Sequence, residues 1–145
     1  MLLVFAAVFI GGTSVFGGAG RLYGTLIGGL SGPLSGGGAI DEGLLKEMFT
    51  ECQSAMEDIT NAKVGDKTMM DALIPAVAAA EAAEGDCLAI LEAAKEAAAR
   101  GAKESEQYVS KFGRARSYKE QTIGTPDAGA VSTSLFFAGL CDGLK

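Results

Sequence analysis

The stretch Asp66–Ser110, DKTMMDALIPAVAAAEAAEGDCLAILEAAKEAAARGAKESEQYVS, decides the fold. It reads as two helices in succession. Asp66 stands as an N-cap before TMMDALIPAVAAAEAAEG, which ends at Gly85, and Asp71 near the first turn suits the positive end of the helix dipole. Pro75 falls inside and predicts a kink or a slightly later start. Asp86 then caps a long helix from Cys87 to about Ser110. Its apolar stripe is Leu88, Leu91, Ala94, Ala98, Ala102, Val109 and Phe112, rich in alanine and suited to close packing.

Outward from this pair the same period recurs. From Asp41 an amphipathic helix places Leu45, Met48, Cys52, Met56 and Ile59 on one face. After Ser110 comes the polar loop GRARSYKEQTIGTPDAGA (113–130), and then a last helix through VSTSLFFAGLCDGL. No alternating strand pattern stands out. The chain is expected to be all-α, an antiparallel helical bundle formed by one domain over 1–145.

Composition narrows the function. Twelve Lys and Arg against eighteen Asp and Glu give a net charge of −6, which argues against nucleic-acid phosphate as the main partner. Histidine is absent, and with it His-based acid/base chemistry, Ser-His-Asp and Cys-His triads, and His-ligated metals. Cys52, Cys87 and Cys141 are widely spaced and odd in number, as expected of reduced, mostly buried thiols in a cytoplasmic protein.

MLLVFAAVFIGGTSVFGGAG (1–20) carries no charge, and three readings are open: signal peptide, membrane anchor or core helix. No Lys or Arg precedes the apolar run, and glycines interrupt it after about ten residues, short for a bilayer span. The core-helix reading is therefore preferred, with no membrane partner. The following GGLSGPLSGGG (28–38) reads as a flexible connection.

Three motifs bear on chemistry. In VGDKTMMDALIPA (64–76), a Gly-Asp-Lys-Thr turn at a helix start offers amides, a hydroxyl and a cation to a phosphate or the edge of a base. Locally the plainer alternative weighs more: Asp66 caps, Lys67 is solvated, and Met69 and Leu73 are core. In 112–132, Arg114 follows Gly113 where the long helix is expected to end, and PDAGA presents a second helix start. That arrangement is either an anion clamp or an ordinary loop with Asp127 as cap. In GGAGRLYGT (17–25), glycines permit close approach of a ligand or another helix.

Taken in order, GGAGRLYGT, GDKTMMDALIPA and GRARSYKEQTIG-x-x-DAGA resemble the nucleotide-binding L subunit, or C-terminal domain, of dihydroxyacetone kinases. The resemblance runs from about Gly17 to the C-terminus. It implies a barrel of antiparallel helices binding ADP or ATP with magnesium at one rim. It also implies phosphoryl transfer to dihydroxyacetone held by a separate K subunit or domain, from ATP or through bound ADP recharged by a phosphotransferase-system protein. Carried over by residue, Gly17, Gly18, Ala19 and Gly20 would form the glycine turn beside the phosphates. Met69 would contact adenine, Arg114 would sit close to the nucleotide, and Asp127, Ala128 and Gly129 would close over it. No catalytic residue is singled out.

The chain departs from the family in three places. The glycine turn is one residue short, with Ser14 too far upstream to supply the usual serine. Arg116 and Ser117 rearrange the run after Gly-Arg-Ala. The family's aspartate-rich metal loop precedes the glycine turn, whereas nothing acidic stands before Asp41 here, so no metal ligand is assigned. The resemblance thus implies a DhaL-type fold incomplete at the N-terminus, a truncated member of uncertain activity. The alternatives are a non-catalytic relative serving as a partner-binding helical scaffold, and a small membrane-anchored helical protein.

Overall fold

A computed structural model describes residues 40–145. The expectations for the glycine turn, the opening apolar run and the Gly/Ser linker lie outside the described residues. Asp41 starts the first helix: its backbone is extended, and its carboxylate accepts the Leu44 N–H at 2.7 Å. Helix α1, Glu42–Glu57, buries Leu45, Met48, Phe49, Cys52 and Met56. Ile59 was expected on this stripe but lies past the helix end and is half exposed.

Helix α2, Met70–Ala82, begins three residues later than Asp66 as N-cap would have it. The cause is Asp71, whose buried carboxylate accepts the N–H groups of Gly65 and Thr68 at 2.6 Å each. Those bonds wind 65–69 into a tight turn in which Lys67 has φ 59°, a left-handed conformation that cannot continue into a helix. Asp66 is therefore not the cap. Pro75 sits inside α2 and has no N–H to give the carbonyl of Asp71.

Helix α3, Cys87–Glu104, starts as expected on Asp86, which accepts the Ala89 N–H at 2.9 Å. It stops well short of Ser110 and passes into a 3₁₀ turn, Ser105–Gln107. Val109 and Phe112 therefore do not belong to its stripe, whereas Ile90, absent from the expected stripe, is fully buried. Ser105 is buried at this junction. Its hydroxyl donates to the Ala102 carbonyl at 2.6 Å and accepts the Asp127 N–H at 2.8 Å, which ties the end of α3 to the start of the last helix. The intervening 3₁₀ segment, Arg114–Thr122, is broken at Lys119 (φ 45°). Helix α4 spans Ala128–Leu144.

The pairings fix the directions. Lys46 at the start of α1 donates to the carbonyls of Glu81 and Ala83 at the end of α2, at 3.0 and 2.6 Å. Gly101 near the end of α3 lies against Asp71 at the start of α2. Lys95 and Glu92 of α3 reach Asp142 and Lys145 at the far end of α4, at 3.5 and 3.3 Å. Consecutive helices are thus antiparallel, so α2 and α4 run parallel with their N-termini at the same end. Phe49 of α1 and Phe137 of α4 close the core, with ring centroids 5.3 Å apart. The described chain is all-α, with no strand among the described residues.

Cys52, Cys87 and Cys141 are free thiols; Cys52 and Cys141 are buried, and burial pushes the Cys52 thiol up to about 12. Among the described residues, no helix is long and apolar enough to cross a membrane.

Candidate functional site

Because α2 and α4 begin at the same end, their first turns face one another. An ideal Cβ on Gly129 would lie 3.3 Å from the Met69 Cβ and 3.4 Å from its backbone nitrogen. Residue 129 therefore has almost no room for a side chain. Beside this contact opens a cavity of about 320 Å³. Met56, Met69, Met70 and Phe112 supply most of its apolar wall, and Thr60, Thr68, Asp127 and Ser132 a polar margin. Such a cleft suits a flat, largely apolar group with a hydrogen-bonding edge, and methionine is a side chain that adapts to such a face.

Of the residues singled out from the sequence, Met69, Asp127, Ala128 and Gly129 line this one cavity. Gly113 lines it too, and Arg114 is the next residue, opening the 3₁₀ segment. Gly113 (φ 67°, ψ −163°) occupies a region that only glycine populates readily, so the chain turns there from the cavity wall into the Arg114 segment. Gly17, Gly18, Ala19 and Gly20 lie outside the described residues.

The polar groups are already engaged. The Asp127 carboxylate caps α4 by accepting the Ala130 N–H at 2.9 Å. Burial raises its affinity for a proton above that of an ordinary carboxylate, against the pull of the amides of Ala130 and Gly129. Asp71 spends both oxygens on backbone N–H groups. Asp66 pairs with Lys111 at 2.5 Å, and that hydrogen bond holds its carboxyl below the usual range. Lys67 lines the cavity but is not solvated. It is 4% exposed, and its ammonium donates to the carbonyls of Thr122 and Thr125. The expectation of a solvated Lys67 is thereby corrected.

Among the described residues no group of three acidic or thiol side chains stands together, and Asp66, Asp71 and Asp127 are held by amides or by Lys111. The described residues do not fit a magnesium site.

Sequence reasoning missed Met56, Met70 and Phe112 in the cavity wall. The Met-Met pair at the start of α2 was the available signal. Phe112 was hidden because the long helix was expected to continue through it.

A bundle in which two parallel helices open side by side on an apolar cleft defines the class as an all-α helical domain. The family described as the DAK2 domain matches residues 4–142, and the chain belongs to this family, the DhaL-type domain. Similar proteins include a D-erythrulose kinase of Mycolicibacterium smegmatis, 34% identical over 86% of this chain and 21% of that protein. A dihydroxyacetone kinase of Pichia angusta is 31% identical over 90% of this chain and 23% of that protein. The ADP-binding subunit DhaL of a PEP-dependent dihydroxyacetone kinase of Listeria innocua is 31% identical over 82% of this chain and 62% of that subunit. The chain thus spans about a fifth of the length of the larger kinases it matches.

Proposed function

We propose that this chain is the nucleotide-binding part of a kinase for dihydroxyacetone or a related small ketose such as erythrulose. ADP or ATP would lie in the cleft where α2 and α4 begin. Met69 would pack on the adenine, and Asp127, Ala128 and Gly129 would close its edge. The phosphates would extend toward Arg114 and the glycine turn Gly17, Gly18, Ala19 and Gly20. The carrying observation is the convergence of Met69 and the Asp127–Gly129 turn, 58 or more positions apart in sequence, on one cavity. An apolar wall with its nearby carboxylates already capped favours the base, not the phosphates, in this half of the site.

In this reading the ketose is carried by a partner K subunit or domain, and the phosphoryl group comes from ATP or from a phosphotransferase-system protein that recharges bound ADP. The cytoplasm is the compartment that free, buried thiols favour. Asp66, Asp71 and Asp127 are committed to backbone amides or to Lys111 and do not offer a magnesium site beside the cleft. That commitment favours a second reading, a nucleotide-binding helical scaffold without turnover of its own.

Calorimetric titration with ADP, with and without magnesium, tests both. Saturable binding that magnesium strengthens supports the kinase reading. Saturable binding indifferent to magnesium supports the scaffold. No saturation at millimolar ADP removes the nucleotide from the cleft. Arg114→Ala is expected to weaken ADP binding strongly while leaving far-UV helicity unchanged.

A further inference from the structure

The segment between α3 and α4 lines the cavity at Phe112 and Gly113, yet it contributes little to the apolar core: Phe112, Tyr118 and Ile123 are all at least 40% exposed. Polar ties must therefore hold it. Two of them run to the turn before α2. One is at the surface, where Lys111 donates its N–H to the Asp66 carbonyl at 3.2 Å and pairs with the Asp66 carboxylate. The Lys111 side chain is 62% exposed there, and such pairs are screened and weak. The other is buried. The Lys67 ammonium donates to the Thr122 carbonyl and, at 2.6 Å, to the Thr125 carbonyl, just before Asp127. Two of its three N–H donors are thereby committed. Its left-handed φ of 59° is a conformation a lysine adopts only when the surroundings impose it.

We infer that Lys67 is a positioning residue, a strut that fixes the 111–126 segment over the cleft and so sets where Gly113, Arg114 and Asp127 stand toward a bound nucleotide. The strut is a property of the ligand-free chain; its consequence for binding rests on the nucleotide reading above. A lysine in this motif would ordinarily be taken as a phosphate ligand, and the two roles make opposite forecasts.

Hydrogen exchange on the ligand-free protein separates them. In Lys67→Met, amides within 111–126 are expected to exchange about tenfold faster or more while those of α1 and the middle of α3 stay unchanged, as loss of one charge-assisted tie implies. Lys67→Arg, which keeps a charged donor, restores most of the protection. Lys67→Gln retains an N–H donor and gives the same comparison should Lys67→Met lose its helicity. Unchanged exchange in 111–126 in a folded variant overturns the strut, whether or not nucleotide binds.

ADP titration then reads the consequence. Lys67→Met is expected to weaken ADP by about 10- to 100-fold, and to add nothing further in an Arg114→Ala background still measurable at high ADP. Additive losses would make Lys67 an independent phosphate ligand and overturn the inference. Absence of ADP binding in every protein, with the exchange result standing, would sink the nucleotide reading and leave the strut.

Discussion

The α2–α3 interface and the 111–126 segment are held by different physics. At the interface, backbones touch. Pro75 leaves the Asp71 carbonyl without its helical donor, and Gly101 packs against that buried oxygen, so closely that a Cβ would sit 2.0 Å from it. Ala72, Ala76, Ala80, Ala94 and Ala98 fill the rest of the core around this contact with small side chains, all of them buried. At the segment, apolar side chains stay in solvent and a few polar ties do the holding. The difference teaches that the scaffold tolerates almost no added atom, whereas the cleft's cover answers to charge.

The comparison breaks first at Gly101. Gly101→Ala would drive a Cβ into the Asp71 carbonyl, an obstacle of backbone that no rotamer can relieve. The expected loss exceeds about 3 kcal/mol, enough to lower the melting temperature by roughly 10 °C or more. A melting temperature within 2–3 °C of wild type, on the order of one methyl's ordinary effect, would mean that the helices are free to separate. Asp71→Ala comes next, because it strands the Gly65 and Thr68 amides. Its cost is expected at about 2–4 kcal/mol, with α2 keeping its far-UV signal and the 65–69 turn losing protection from hydrogen exchange.

Much of this scaffold was legible in the sequence because caps are local chemistry. Asp41, Asp86 and Asp127 each cap a helix through their own third neighbour, as a single chain suffices to suggest. The start of α2 was misplaced because Asp71 reaches backward to Gly65 and Thr68, an arrangement that competes with helix continuation and leaves no mark in periodicity. The end of α3 was misplaced because Ser105 binds Asp127 across 22 positions of chain, which apolar spacing does not reveal. For the site, Met69 and the Asp127–Gly129 turn were named from the family resemblance, not from their own chemistry. Lys67 was misjudged because burial of a lysine depends on carbonyls 55 and 58 residues away.

Gly113→Ala sharpens the contrast from the other side. Here a Cβ would meet nothing within 4 Å, yet the backbone stands at φ 67° and ψ −163°. The penalty is conformational and local, about 1–3 kcal/mol. It is expected to appear as faster exchange in 111–126 and weaker ADP binding, with little change in the cooperative melt of the helices. A large drop in melting temperature would instead place the segment inside the cooperative core.

The smallest effect belongs to Lys111→Met, and its pH dependence identifies the tie. The hydrogen bond from Lys111 holds the folded-state Asp66 carboxyl below its ordinary value. A depressed carboxylate contributes stability that is present above the unfolded value and disappears as pH falls through the folded one. The melting-temperature gap between wild type and Lys111→Met is therefore full above about pH 5 and closes as Asp66 takes up its proton. The gap corresponds to no more than about 1 kcal/mol, since the Lys111 side chain is largely in water, and added salt narrows it. Asp127 works in the opposite sense: its raised value means stability falls as pH rises through its titration. Both proteins keep Asp127 and the backbone bond from residue 111 to Asp66, so those contributions cancel in the difference, and a gap that persisted unchanged into acid would show that the Lys111 side chain acts otherwise than through the Asp66 carboxylate.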